Sequence, residues 1–332
     1  MRRPPRLLFL QALTLFVLAL AGCAARVIAA APVDPLPSWN EGANKDAILA
    51  FVARVSTPGG PGFVPAAERI ATFDNDGTLW PEVPVVQAAF TIGKVRAKVD
   101  RDPSLATQPA IKAALTGDLG YFTTAGQTAI EELLAITAAN MTQEEFDTEA
   151  RLFFQHAQHP TLKAPYTALA YRPMVELLNF LRANGFQNFI CSGGGADFMR
   201  IVSQQMYGIP PQQVIGSRID KQLDQKGGRL VIWRTAKVAS VNDKGGKVLN
   251  IDAEIGLRPL LAAGNVRSGG DIEMLEYAGA GARPSLELMI HHDDPVREFA
   301  YDEKNGASLA AAQAHDWNVV SMKHDWNVIF SR

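Results

Sequence analysis

The sequence predicts a three-layer α/β fold in which a mostly parallel sheet is covered by helices on both faces. Short apolar runs are each followed by polar, acidic or glycine-rich residues, and most lead into a helical pattern. Short buried strands that alternate with helices are typical of parallel sheets with both faces covered. The four clear runs and a weaker fifth are residues 69–73, 186–191, 259–263, 286–290 and 213–216.

The spacing of these runs divides the chain into a core and an inserted cap. A long stretch with helical periodicity separates the first two strands, and it is too long for a simple crossover connection. We therefore assign residues 81–168 to a helical cap, and residues 45–80 and 169–332 to the core. Residues 217–243 contain an apolar run after a Gly-Gly turn and are predicted to form a β-hairpin.

Composition and charge restrict the classes of function. The 332 residues are 47% hydrophobic and 20% charged, with 32 basic against 34 acidic side chains and a net charge of −2. Such a chain can close a hydrophobic core and is not intrinsically disordered. No dense block of Lys and Arg follows the first residues, so the sequence lacks the electrostatic footprint of a nucleic-acid-binding protein. A small molecule is the expected partner.

The N-terminus carries the pattern of an export signal. Three arginines precede an apolar run at residues 7–20, which is shorter than the ~20 residues that a membrane-spanning helix needs. The end of this run resembles the bacterial lipobox, so residues 1–22 are a predicted signal peptide and Cys23 is a predicted lipidation site. Cleavage near residues 29–31, with loss of Cys23, is the alternative.

The expected location follows from this signal. Residues 23–44 are rich in Ala and Pro and are predicted to tether the domain to a membrane. We therefore expect an exported, periplasmic protein whose N-terminal lipid is its only membrane contact. Because Cys191 is the only other cysteine, a framework of disulfides within the chain is excluded.

Two aspartates follow the first predicted strand, at the edge of the sheet where such folds bind ligands. Asp74 ends the apolar run, Asp76 lies two residues further on, and Gly77 frees the turn so that both carboxylates reach one crevice. Like charges so close together require a cation or a retained proton. One alternative is a turn whose carboxylates cap backbone amides. Another is a calcium loop, which needs Gly and Glu where this chain has Leu79 and Val85.

The segment Asp74-Asn75-Asp76-Gly77-Thr78 resembles the first motif of the haloacid dehalogenase-like (HAD) hydrolase superfamily, a hydrophobic strand followed by D-x-D-G-T. Further matches follow in family order, namely Ser192 at a strand end, Lys247, and residues 264–271. The resemblance extends from about Glu68 over nearly all of the remaining chain. The order of cap, serine, lysine and acidic motif is most similar to the phosphoserine phosphatase-like branch.

The resemblance implies phosphoryl transfer through the two aspartates. Asp74 would be the nucleophile and would form an aspartyl phosphate. Asp76 would protonate the leaving oxygen and then activate the water that cleaves the intermediate. Superfamily dehalogenases lack an acid at this second position, so Asp76 favours phosphoryl transfer over dehalogenation.

The same resemblance implies the groups that hold the phosphate. Ser192 and the amides of Gly193 and Gly194 lie between a strand and a helix predicted at about residues 196–207, where an anion is favoured. A plain glycine-rich turn is the structural alternative. Lys247, which we prefer to Lys244, would offset charge between the nucleophile and the phosphoryl oxygens.

A magnesium ion is the cofactor that the resemblance implies. Its ligands would be Asp74, the backbone carbonyl of Asp76, and Asn265 or Asp271. The chain departs from the family here, because Asn265 stands where a phosphoserine phosphatase usually has aspartate. Asp271 is alternatively only the N-cap of the following helix.

The start of the cap supplies the predicted substrate contacts. Thr78, Trp80 and Glu82 follow the nucleophile, and Trp80 with Glu82 would hold an amine through cation–π and charge contacts. The structural alternative is that Trp80 packs at a hinge and Glu82 is solvated. The sequence thus predicts a magnesium-dependent phosphatase acting on a small phosphorylated metabolite. A phosphotransferase or mutase with the same intermediate, and a lipoprotein that binds a ligand without turnover, remain as alternatives.

Overall fold

The strands form close to the predicted apolar runs. The computed structural model describes residues 33–267 and 269–331. Its strands are β1 (Ile70–Phe73), β2 (Met141–Thr142), β3 (Gln187–Gly195), β4 (Val214–Lys226), β5 (Arg229–Ser240), β6 (Leu261–Asn265), β7 (Leu286–His291) and β8 (Asn318–Ser321).

These strands form a single sheet in the order β2-β5-β4-β3-β1-β6-β7-β8. The pairs from β4 through β3, β1, β6 and β7 to β8 are parallel. The β4–β5 and β2–β5 pairs are antiparallel. Strand β1 is therefore central, and its carboxyl end lies between the ends of β3 and β6, where Ser192 and Asn265 are located.

Helices cover both faces of this sheet. They are α1 (Ala43–Ser56), α2 (Val86–Val99), α3 (Pro109–Thr116), α4 (Leu119–Thr137), α5 (Gln143–His156), α6 (Arg172–Ala183), α7 (Ala196–Arg200), α8 (Ser203–Tyr207), α9 (Gly245–Ile255), α10 (Ile272–Gly279) and α11 (Ala307–Ala314).

Two buried clusters lie on opposite faces of the sheet. Ala71 and Phe73 of β1 pack with residues of α1 and α6, whereas Ile70 packs with residues of α9 and α10. Successive side chains of a strand point to opposite faces, so one short strand contributes to both clusters. The predicted fold class, a three-layer α/β protein with a mostly parallel sheet, is confirmed.

Helices α2 to α5 occupy the stretch between β1 and β3 that we predicted to be a cap. Strand β2 of this stretch pairs with β5 of the long hairpin, with Met141 opposite Arg234. Helix α5 begins with a capping box, in which Thr142 and Glu145 exchange side-chain and backbone hydrogen bonds. Gly126 interrupts α4 with non-helical angles, φ 60° and ψ −138°. Contacts place this stretch and the core in one compact unit, Pro35–Arg332.

The predicted tether, residues 23–44, is wrong in its C-terminal part. Leu36 and Trp39 are buried in the core. The Trp39 indole donates to the Pro173 carbonyl at 2.9 Å and packs edge-on against Trp326. Their apolar side chains outweigh the Ala- and Pro-rich composition from which we predicted a free linker. The signal peptide and Cys23 lie outside the described residues.

Other local differences from the sequence prediction are small. The predicted helix at 196–207 is two short helices, α7 and α8, separated at Ile201 and Val202. Strand β8 was not predicted, because its apolar residues, Val319 and Val320, form only a two-residue run. The predicted hairpin is present as β4 and β5, joined by Gly227 and Gly228, both with positive φ. Within the described residues, no helix combines the length and the apolar character needed to cross a bilayer.

Candidate active site

The two aspartates are held by a tight loop at the end of β1. The Asp74 amide donates to the Ala263 carbonyl at 2.9 Å, which extends the β1–β6 pairing by one residue. Gly77 has φ +75°, and a Cβ there would lie 2.7 Å from Glu82 Oε1 and 2.9 Å from Asn265 Nδ2. Only glycine suits this position, on grounds of both backbone conformation and space.

Lys247 lies between two carboxylates in the buried site. Its ammonium is 2.7 Å from Asp74 Oδ1 and also contacts Asp271 Oδ1. Helix α9 presents Lys247 in its first turn, with only 2% of the side chain exposed. Lys244 precedes the helix with an exposed side chain. The geometry therefore favours Lys247 over Lys244 as the charged partner of Asp74.

Asp271 supports the lysine rather than capping a helix. It occupies the N-cap position of α10, but its side chain makes no capping hydrogen bond. One carboxylate oxygen contacts Lys247, and the other accepts a hydrogen bond from the backbone N–H of Asn265 at 2.9 Å. Gly264 permits this approach, since a Cβ there would collide with the Asp271 side chain.

Asn265 occupies the position where the predicted metal would bind. Its Nδ2 lies 3.3 Å from Asp74 Oδ2, 2.8 Å from the Asp76 carbonyl and 3.3 Å from Thr78 Oγ1. Among the described residues, its buried Oδ1 has no hydrogen-bond partner. Three oxygens thus surround the side-chain nitrogen of Asn265. Rotation of this side-chain amide would exchange its nitrogen for Oδ1 and bring a fourth oxygen to the same point.

This donor set fits magnesium, which binds hard oxygen ligands. Asp74, the Asp76 carbonyl and Asn265 would hold the ion directly. Asp271 has a protein partner for each oxygen and is placed to orient Lys247. In the part of the chain that the structure describes, no group of three or more His, Cys, Asp or Glu side chains is arranged to hold a metal ion. Carbonyl and amide oxygens would therefore have to complete the coordination.

Burial has the largest single effect on the pKa of each of three groups, Asp74, Asp76 and Lys247. Burial and the neighbouring Asp271 raise the pKa of Asp74 well above its ordinary value, against the opposing effect of Lys247. Burial also raises the pKa of Asp76, although a hydrogen bond from Trp80 opposes it. For Lys247 burial alone would lower the pKa, but Asp271 and Asp74 together raise it above its ordinary value.

Ser192 and its glycines form the opposite wall of the site. A Cβ on Gly194 would lie 3.5 Å from Ser192 Oγ and 3.6 Å from Asp76 Oδ2, so both polar groups approach the same point. The predicted phosphate cradle differs in one respect, because the Gly194 amide donates to Ser192 Oγ at 3.1 Å. The helix that follows, α7, has only five residues. The hydroxyl is therefore the principal donor on this wall.

Two residues predicted to contact the substrate, Trp80 and Thr78, face into the protein. Both side chains are buried and neither lines the catalytic pocket. The Trp80 indole donates to Asp76 Oδ1 at 2.7 Å and packs against Phe154. Thr78 lies against the Asn265 amide. The tight turn at Gly77 directs these side chains inward, where they position other site residues.

Glu82 lines the pocket, but its charge is already paired. Tyr301 donates to Glu82 Oε1 at 2.6 Å, and the Arg267 guanidinium lies 3.1 Å from Oε2. The carboxylate is thus engaged and is not placed as a free receptor for an amine. The roles of Arg267 and Tyr301 could not be predicted from the sequence, because Tyr301 is 219 residues from Glu82 and no local pattern connects them.

A buried histidine supports the loop from behind. His292 Nε2 lies 2.7 Å from the Gly77 carbonyl, and Nδ1 lies 3.1 Å from Glu298 Oε2. Tyr171 donates to the other oxygen of Glu298 at 2.9 Å. This network fixes the Asp76–Gly77 turn from the side away from the pocket.

Glu82 yields a pH-dependent prediction. Burial raises the pKa of Glu82 from its ordinary value of 4.5 to about 7, although the charge of Arg267 opposes this shift. Between these values the unfolded chain loses a proton that folded Glu82 keeps, so this group's contribution to stability falls as pH rises. We expect Glu82→Gln to raise the thermal midpoint relative to wild type more at about pH 8 than at about pH 5.

The control for this prediction is Glu132→Gln. Glu132 is exposed on α4, and we expect its replacement to have the same small effect at both pH values. An equal effect of Glu82→Gln at the two pH values would contradict the prediction.

Comparisons with known proteins show the fold and no more. No family profile and no curated protein matches the chain. A conserved protein of unknown function from Anaerococcus prevotii DSM 20548 has a similar structure, with a TM-score of 0.54 and 15% identity over 84% of this chain and 91% of that one.

Two further structures are more distant. A protein of unknown function from Bordetella pertussis Tohama I has a TM-score of 0.47 and 18% identity, over 76% of this chain and 98% of that one. A phosphoserine phosphohydrolase-like protein from Francisella tularensis subsp. tularensis SCHU S4 has a TM-score of 0.38 and 17% identity, over 73% of this chain and 98% of that one. We infer no activity from these similarities.

Proposed function

We propose that the protein is a magnesium-dependent phosphatase that hydrolyses a phosphomonoester through an aspartyl phosphate on Asp74. One arrangement carries the proposal: Lys247 lies 2.7 Å from Asp74 in a pocket that Asp76 and Ser192 also line. A carboxylate paired with a cation, an adjacent acid and a hydroxyl donor are the groups that this chemistry needs. The match to the D-x-D-G-T motif at a strand end supports it independently.

The proposed reaction has two steps. The Asp74 carboxylate attacks phosphorus as the bond to the leaving oxygen breaks, and Asp76 gives its proton to that oxygen. Asp76 then takes a proton from water, whose oxygen attacks phosphorus and breaks the bond to Asp74. Inorganic phosphate leaves, and both carboxyl groups return to their starting states.

The remaining groups bind and balance charge. Ser192 Oγ would donate to a phosphoryl oxygen, and Lys247 would hold Asp74 in place while offsetting the phosphoryl charge. Magnesium, when bound by Asp74, the Asp76 carbonyl and Asn265, would supply the positive charge that favours ionised Asp74 and stabilises the transition state. We further propose that the protein acts outside the cytoplasm, anchored through Cys23.

Release of phosphate from p-nitrophenyl phosphate tests the proposal. We expect turnover that EDTA abolishes and added magnesium restores. Asp76→Asn should lower kcat by about 10²–10⁴-fold, because a proton donor and acceptor is lost. The matched control is Asp252→Asn, on the exposed face of α9, which should retain full activity.

The outcomes separate the alternatives. No turnover of any phosphomonoester would favour a ligand-binding protein. Transfer of phosphate to an added alcohol in preference to water would favour a phosphotransferase. Turnover that withstands EDTA would contradict the magnesium dependence.

A further inference from the structure

A second cavity adjoins the catalytic pocket. It has a volume of about 730 Å³ and lies between helix α4, the β4–β5 hairpin and the end of β3 after Ser192. Both cavities are lined by Gly193, Gly194 and Asp243. The catalytic pocket measures only about 190 Å³, below the ~300–1,000 Å³ typical of small-molecule sites. The larger cavity, here called the cap–hairpin cavity, offers the adjoining space for the rest of a substrate.

The walls of the cap–hairpin cavity are largely apolar. Its apolar lining comes from helices α4 and α5 and from both strands of the hairpin, and includes Phe122, Ile130, Leu134, Phe146, Ile219 and Val238. Burial of apolar ligand surface against such walls stabilises a complex by roughly 25 cal/mol per Å². A polar leaving group would gain nothing from these contacts and would lose its hydration.

The arginines that line the cavity already have partners in the protein. The Arg234 guanidinium lies 2.5 Å from Asp197 and also donates to Gln143 at 2.6 Å. Arg234 also lies over the Phe146 ring at 3.8 Å. Arg218 pairs with Glu254. These arginines are not placed to receive a second anionic group of a substrate.

The junction of the two cavities adds a further restriction. Asp243 lies there with an exposed side chain, so its negative charge opposes a carboxylate or a second phosphate on the leaving group. Gln87 faces the same passage, with its Oε1 accepting from the Gly195 amide at 2.7 Å. The passage therefore disfavours a leaving group that carries an anionic substituent.

From this lining we propose that the substrate is the phosphomonoester of a bulky, uncharged, apolar alcohol, whose apolar part occupies the cap–hairpin cavity. This inference rests on the proposed phosphatase function. Phosphoserine, whose leaving group carries an ammonium and a carboxylate, fits the cavity poorly.

The test compares three esters of primary alcohols, so that the leaving groups have similar intrinsic reactivity. The full-length protein with magnesium is assayed on naphthylethyl phosphate, ethyl phosphate and phosphoserine. We expect kcat/KM for naphthylethyl phosphate to exceed the other two by at least about tenfold. Val238→Trp, which fills the cavity from β5, should lower kcat/KM for naphthylethyl phosphate by about tenfold or more, mainly by raising KM. The same variant should change kcat/KM for ethyl phosphate little.

The control and a second variant keep the test decisive. Ile232 lies on the same strand, is 45% exposed and does not line the cavity, so Ile232→Trp should change no value. Ile130→Trp fills the cavity from the α4 side and replaces Val238→Trp if that variant does not fold.

Two results would overturn the inference in distinguishable ways. In the first, phosphoserine or ethyl phosphate is turned over as well as naphthylethyl phosphate, and the cavity-filling variants affect all three esters alike or not at all. That result overturns the proposed substrate class but leaves the proposed phosphatase function. No turnover of these esters or of p-nitrophenyl phosphate overturns both.

Discussion

Replacement of Asp74 by asparagine is expected to abolish phosphate release while leaving the protein at least as stable as the wild type. The amide has the shape of the carboxylate but cannot act as the nucleophile, so kcat should fall by at least about 10³-fold. Stability should not fall, because Lys247 keeps Asp271 as its partner and because burial and Asp271 raise the pKa of Asp74, which disfavours its ionised form. Removing that charge relieves repulsion between two buried carboxylates.

The measurement is a pair of assays on the same preparation. Phosphate release is followed with magnesium, and the thermal midpoint is measured with EDTA at neutral pH. A variant with substantial activity, or one whose midpoint falls clearly below that of the wild type, would contradict this account of the site.

Replacement of Lys247 by methionine is expected to damage both stability and activity. The methionine keeps the apolar stem but leaves Asp74 and Asp271 buried without their cation. Breaking such a buried pair costs about 3–5 kcal/mol. The loss should be smaller at low pH, because burial and Asp271 raise the pKa of Asp74, which can then take up a proton. Loss of charge stabilisation should lower kcat by about 10²–10³-fold.

Lys244→Met is the matched control for this variant. Lys244 is three residues away, is exposed and lies outside the lining of the catalytic pocket. Its replacement should leave activity and the free energy of unfolding near wild-type values. If the two methionine variants behaved alike, Lys247 would not be the charged partner that the structure indicates.

The sequence predicted which residues meet at the site because strand ends determine their position. A buried strand places the next residue at the sheet edge, so Asp74, Ser192 and Asn265 converge once β1, β3 and β6 are neighbours. Lys247 could be chosen for a related reason, since it begins an amphipathic helix. These predictions need only local sequence patterns and the rule that ligands bind at the carboxyl ends of parallel strands.

Side-chain direction in the loop after Asp76 could not be predicted in the same way. The contacts of Trp80 with Phe154, and of the Gly77 carbonyl with His292, join residues distant in sequence. No periodicity constrains such contacts. The tether was misjudged for a similar reason, because the pairing of Trp39 with Trp326 is visible only in the fold.

The cap–hairpin cavity was also not predicted. Each apolar residue that lines it fits an ordinary helix or strand pattern, and the cavity exists only because α4 and β5 enclose space beside the end of β3. The proposed substrate class therefore depends on the packed structure, whereas the proposed chemistry depends on residues recognisable in the sequence.

The most direct test of the central proposal is detection of the phosphoryl group on Asp74. The protein is mixed with excess phosphomonoester and magnesium, quenched in acid during the first turnover, and digested for mass spectrometry. We predict one phosphoryl group on the peptide that carries Asp74, and none on that peptide in Asp74→Asn. Turnover without a phosphorylated peptide, or the same phosphorylation in Asp74→Asn, would contradict the proposal.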